Sequence, residues 1–223
     1  MAVLSTTSFS LPIDDLMEEA SFRVGGEPVL GAEARSFPRL VNLVLTDWQN
    51  RGILLFTLEE AVVTVSSSVT TYTLSSDTLD IVSAVYRKDG IDTNMGRLSF
   101  DEYKTLPKKN QSGSRATQFY VARNQDAPVI YPWPIPDNSS DQIRFWRVRS
   151  TKDHTLASDP DLPRRYWPPL VSGCAYYLGL KRPSVDINRL SMLKALYEEE
   201  LMRAMEEDRE RASYRVNPMI GPV

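Results

Sequence analysis

The residues able to do chemistry are few, and their types narrow the field at once. The chain holds one cysteine, Cys174, and one histidine, His154. A structural zinc site needs about four Cys or His ligands, and a cysteine nucleophile needs a base brought beside it. Cys174 falls among Leu170, Val171, Ala175 and Leu178, which reads as a buried helical thiol, since free cysteine packs as a small hydrophobe. His154 stands in Ser150-Thr151-Lys152-Asp153-His154-Thr155, and this polar run reads as a solvated loop. A single cysteine allows no disulfide within the chain, and no metal or cofactor is expected.

Carboxylates are more numerous. Glu198, Glu199, Glu200, Glu206, Glu207 and Asp208 crowd one stretch. Paired carboxylates cleave glycosidic bonds when held roughly 5–10 Å apart across a cleft, so a cell-wall-cleaving enzyme is one alternative. These acids sit on what reads as a charged helix face with no recognisable site around them, and a non-enzymatic role is expected. Lys104, Lys108, Lys109 and Arg115 flank Asn110-Gln111-Ser112-Gly113-Ser114. A nucleic-acid-binding module built on Lys108, Lys109 and neighbouring aromatics is the second alternative. The net charge of -3 and pI of about 5.4 argue against tight, nonspecific wrapping of DNA, and a solvated loop accounts for these lysines. Gly25-Gly26 lacks the preceding strand and following helix of a phosphate loop, so it reads as a helix stop.

The elements that must position these residues follow from periodicity. Ile13, Leu16, Met17 and Ala20 recur at helical spacing, with Asp14, Asp15, Glu18 and Glu19 on the other face. A second helix is expected to start near Ser36 as its cap, with Pro38 in its first turn. Phe37, Leu40, Val41, Val44 and Trp48 form its apolar stripe, and Arg51-Gly52 its end signal. Trp48 reads as a core anchor.

From residue 53 to about 149 the period shifts towards two. Strands are expected at 61–65, 69–74, 79–87, 116–122, 128–133 and 142–148, with a short helix at 101–105 where Ser99 and Glu102 match a capping box. The prolines in Tyr131-Pro132-Trp133-Pro134-Ile135-Pro136-Asp137 are expected to halt pairing and to place that segment at a sheet edge or turn. Helix returns after Pro168-Pro169 and breaks at Arg182-Pro183. A last helix, capped by Ser184 or Asp186, presents Leu190, Leu193, Tyr197, Leu201 and Met205 at steps of three or four. Its Glu199/Arg203 and Glu207/Arg211 pairs have the four-residue spacing worth about 0.2–0.5 kcal/mol each in an isolated helix.

Across 223 residues these patterns predict a mixed α+β fold: a helical bundle core built from both chain ends, a β-rich inserted region and an extended C-terminal tail. The expected parts are residues 1–52 and 161–212 for the helical core, 53–160 for the insertion and 213–223 for the tail. No stretch approaches the ~18 apolar residues of a membrane span. Residues 1–10 carry no basic residue and no long apolar run, so they do not read as a signal peptide. In the tail, Pro218, Gly221 and Pro222 prevent helix. Tyr214, Val216, Met219 and Ile220 supply apolar anchors suited to folding on a partner.

The order of these signals resembles the head-to-tail adaptor, or head-completion, proteins of short-tailed bacteriophages. The residues that carry the resemblance are 39–48 with Gly52, then Tyr72-Thr73-Leu74 leading to Asp80-Ile81, Tyr131-Pro132-Trp133-Pro134, and Asp161-Leu162-Pro163 before the helical pair. The resemblance implies a structural virion protein at the head-tail junction, assembled in the host cytoplasm. It implies a ring of twelve identical subunits between the portal protein and a tail tube or nozzle protein, with double-stranded DNA passing through. The tail residues Tyr214, Arg215, Val216, Pro218, Met219 and Ile220 are then candidate portal contacts. Acidic side chains on the last helix, Glu199, Glu206 and Glu207 above all, are candidates to face the channel, where they would repel phosphates.

Overall fold

The computed structural model describes residues 10–52, 55–156 and 161–208. Two helices come first, α1 (Ile13–Val24) and α2 (Ala32–Asn50). Strands β1 (Leu58–Thr64), β2 (Tyr72–Thr73), β3 (Thr78–Lys88) and β4 (Ile91–Leu98) follow, then the short helix α3 (Phe100–Thr105). Strands β5 (Ser112–Gly113), β6 (Gln118–Ala122), β7 (Val129–Trp133), β8 (Ile135–Pro136) and β9 (Gln142–Arg149) lead to the helices α4 (Trp167–Lys181) and α5 (Ile187–Glu207). The mixed α+β class is borne out. Two compact units result: residues up to Leu55 together with those from His154 onward, and Phe56–Asp153.

In the first unit α4 is the hub, with α1, α2 and α5 each packed on it. Asp14 and Asp15 favour the positive end of α1. It stops where the amides of Gly25 and Gly26 both bond the Ser21 carbonyl, Gly26 at φ +81°. Helix α2 begins four residues before the expected cap. The amides of Glu33 and Arg35 already bond the Leu30 and Gly31 carbonyls, and the Ser36 hydroxyl instead donates to the Glu33 carbonyl at 2.9 Å. Pro38 therefore lies inside the helix, where it removes one rung of the ladder. The stripe Phe37, Leu40, Val41, Val44, Leu45 and Trp48 is buried, and burial rather than capping holds this helix.

A second correction concerns His154, which is buried, not solvated. Its amide donates to Asn42 Oδ1 at 2.8 Å, and its carbonyl accepts from Asn42 Nδ2 at 3.2 Å. The Asn42 amide thus fastens the returning chain to α2. At the other end of this unit Asp186, of the two caps expected for α5, accepts from the Asn188 amide. In α4 the prolines sit within the first turn rather than before it.

The second unit is a seven-stranded sheet in the order β1-β9-β3-β4-β6-β7-β2, with a separate β5-β8 pair. Strand β4 changes partner along its length. Its residues from Ile91 to Met95 run antiparallel to β3, and Gly96, Arg97 and Leu98 run parallel to β6. Both halves bury side chains in one core, including Ile81, Tyr86, Phe119, Ile130, Ile143 and Phe145. The β3-β4 turn places Asp89 at φ +51° and Gly90 at φ +80°, the double positive φ of a tight hairpin. The expected strand at 69–74 shrinks to Tyr72–Thr73, with Ser68 at φ +66° ending any extended run before it.

The proline-rich segment does not halt pairing. Strand β7 stays in register with β6 through Pro132 and Trp133. On its other side β2 reaches only Ile130, so Pro132 faces an open edge where its missing N–H costs no ladder bond. The capping box holds as expected, with the Ser99 amide donating to Glu102 at 2.7 Å.

Several carboxyls are held below their usual range: Asp77 by hydrogen bonding from Arg147, Glu198 by hydrogen bonding from Arg51, and Glu102 by the Ser99 amide. A group with a lower pKa folded than unfolded adds stability above its unfolded value, and that gain disappears as pH falls through the folded value. Denaturant midpoints are therefore expected to be flat near neutrality and to drop below about pH 4. A midpoint at pH 3 equal to that at pH 6 would remove these ion pairs from the account.

Candidate assembly surfaces

Helix α4 lets α5 approach because it presents glycine where the two cross. A Cβ on Gly173 would stand 2.9 Å from Tyr197 Cε2 and 3.2 Å from Val44 Cγ1, and one on Gly179 would stand 2.8 Å from Leu190 Cδ2. Tyr197 cannot swing aside. Its hydroxyl accepts from Trp48 Nε1 at 2.8 Å and donates to Asp47 at 3.0 Å, and burial pushes its ionisation well above the usual range. Arg51 ties the end of α2 to the middle of α5, contacting Asp47 at 2.9 Å and Glu198 at 2.7 Å. These groups fix the position of α5 and therefore which side chains it turns outward.

The acidic cluster divides along this helix. Asp208 is buried, accepting from the Tyr166 hydroxyl at 2.8 Å and pairing with Arg165. Glu200 pairs with Arg23 at 3.6 Å and accepts from Ser172, and Glu198 is held by Arg51. These three acids are held in contacts within the helical unit. Glu199, Glu206 and Glu207 are exposed, and Glu199 pairs with Arg203. The division was readable: Leu193, Tyr197, Leu201, Ala204 and Asp208 continue one stripe at steps of three and four. Arg211, expected to pair with Glu207, and the tail candidates Tyr214, Arg215, Val216, Pro218, Met219 and Ile220 lie outside the described residues.

On the β-rich unit the lysines are partly engaged. Lys109 Nζ stands 5.2 Å from the Tyr103 ring centre, and the Lys108 carbonyl accepts from Trp133 Nε1 at 3.1 Å. Tyr103 stacks on Tyr120 at 4.7 Å and tilts against Tyr131 at 5.4 Å, so these rings hold α3 to the sheet. Cys174 is fully buried, and burial pushes its thiol far above the ordinary range, an inert setting for a thiol. Among the described residues no group of three or more His, Cys, Asp or Glu is placed to hold a metal ion, and no helix is long and apolar enough to cross a membrane.

The arrangement offers surfaces for assembly: three helices packed around α4, with faces on α2 and α5 that are exposed among the described residues. The family described as SU10 adaptor protein matches residues 11–220. No curated protein gives a match. Among solved structures, the neck of an empty GTA particle computed with C6 symmetry is similar over 86% of this chain and 92% of that one, with a TM-score of 0.29 and 14% identity.

Proposed function

Because the chain belongs to the SU10 adaptor protein family, we propose that it is a structural component of a bacteriophage virion, joining the portal to the tail at the head-tail junction. The observation that carries this reading is the family match across residues 11–220. Copies of the chain form a ring of twelve below the portal, with the helical units packed around a passage for double-stranded DNA and a tail tube or nozzle protein beneath. The exposed Glu207 faces that passage. Its carboxylate repels the phosphates of the duplex, since like charges brought within about a Debye length of 8–10 Å raise the energy of contact.

The last residues, 213–223, extend onto the portal. Tyr214, Val216, Met219 and Ile220 supply apolar anchors, and Pro218 stiffens the backbone between them. A segment of this kind meets its ordering entropy only when a partner provides contacts, which ties adaptor loading to the presence of a portal. Mixing the purified chain with portal rings, in full length and in a form ending at Ala212, tests this directly by co-sedimentation. Loading is expected for the full chain and lost on truncation. Loading that survives truncation would move the portal contact to the folded body, and no loading of either form on intact portals would remove the adaptor reading.

A further inference from the structure

The outward faces of α2 and α5 are complementary to each other. Along α2 the exposed positions between Glu33 and Asn50 are Arg35, Arg39, Leu43, Thr46 and Asn50, a single narrow stripe. Along α5 an exposed stripe runs through Met192, Ala195, Glu199, Met202 and Glu206. Each carries large apolar side chains in water: Leu43 is 57% exposed, Met192 72% and Met202 60%. Each also carries unused charge. Among the described arginines, Arg35 and Arg39 alone have a guanidinium with no hydrogen bond, ion pair or ring contact, and Glu206 is equally without a partner. Arginines of this fold otherwise find partners, as Arg51, Arg147 and Arg182 do.

We propose that the α2 stripe of one copy packs antiparallel on the α5 stripe of the next copy, and that this is the repeating contact of the assembly. The spacing sets the register. From Arg39 the α2 stripe advances by four, three and four residues to Leu43, Thr46 and Asn50. From Glu206 the α5 stripe retreats by four, three and four to Met202, Glu199 and Ala195. Arg39 then meets Glu206, Leu43 meets Met202, Thr46 stands opposite Glu199, and Asn50 meets the small Ala195. Steps of three and four on both helices are those of ridge-into-groove packing at small crossing angles. The two faces differ, so the contact is heterologous: a copy joined through α2 still offers α5, and the contact repeats until it closes.

This inference rests on the ring reading, since it supplies that ring's subunit contact. It is tested with full-length chains carrying Leu43→Cys or Met202→Cys, treated with a short bis-maleimide on intact portal rings. Cys174 is fully buried and stays unreactive. Crosslinked dimers are expected in an equal mixture of the two variants and not with either variant alone. Dimers formed equally by one variant alone, or none in the mixture while the chain loads normally, would overturn the contact and leave the ring standing. Failure of the unmodified chain to load would remove both. Independently, Arg39→Glu or Glu206→Arg is expected to cut assembly about tenfold or more, and the double variant to restore it within about twofold. Single reversals without effect, in variants that melt like the parent, would contradict the pairing.

Discussion

Trp48→Ala is expected to destabilise the helical unit by about 3–5 kcal/mol, the range for truncating a buried large aromatic side chain. The indole is wholly buried in the α2 stripe, its ring lies 5.5 Å from that of Tyr166, and its N–H donates to Tyr197. Truncation opens a cavity and leaves the Tyr197 hydroxyl with Asp47 alone. Domain stability is typically about 5–15 kcal/mol, so the loss is a large share of the whole. Urea denaturation read by far-UV circular dichroism checks it. Trp48→Phe keeps most of the volume and drops the hydrogen bond, and is expected to cost distinctly less. A shift below about 1 kcal/mol for the alanine variant would show that the indole does not anchor this packing.

The second large effect is expected at Gly173, where the usual helix rule reverses. Glycine to alanine inside a helix ordinarily gains about 1 kcal/mol. Here the added Cβ meets Tyr197 at 2.9 Å and Val44 at 3.2 Å, and Tyr197 is pinned by Trp48 and Asp47. Forcing these helices apart is expected to produce a net loss of about 1–3 kcal/mol, with Gly173→Val worse. The consequence extends to assembly, because α5 would be displaced together with its outward stripe. A Gly173→Ala variant more stable than the parent in the same denaturation experiment would mean that α4 and α5 do not approach this closely.

The sequence was most informative where burial imposes a period. The stripes of α1, α2 and α5 recur at three and four residues because one face of each packs on α4, and the alternation in β6 and the first half of β9 follows from the shared core beneath them. The short helix α3 was legible for a different reason, since Ser99 and Glu102 satisfy each other's backbone groups locally. Strand β4 was missed because Ile91-Asp92-Thr93-Asn94-Met95-Gly96 alternates weakly and holds few strand formers. Its signal lay outside it, in the Asp89-Gly90 turn. The burial of His154 had no local signal, as its polar neighbours resemble those of any loop and the bonds that hold it come from Asn42, 112 positions away.

The same logic separates the acids of α5. A run of carboxylates looks uniform along the chain, yet the stripe assigned by Leu193, Tyr197 and Leu201 turns Asp208 inward and Glu199 and Glu206 outward. Function was legible only through the order of elements over the whole length, because an adaptor has no reactive constellation to recognise. Its work is done by surfaces, and surfaces are composed from residues far apart in sequence: Arg39 and Glu206 acquire meaning as a pair only once both helices are fixed on α4.

The most direct test of the adaptor reading is the native mass of the complex formed when the full-length chain saturates isolated portal rings. The expected result is a single species carrying one copy of the chain per portal subunit, closed at twelve, with no partly filled series at saturation. A mass equal to that of the portal alone, or an open-ended distribution of bound copies, would contradict a closed adaptor ring.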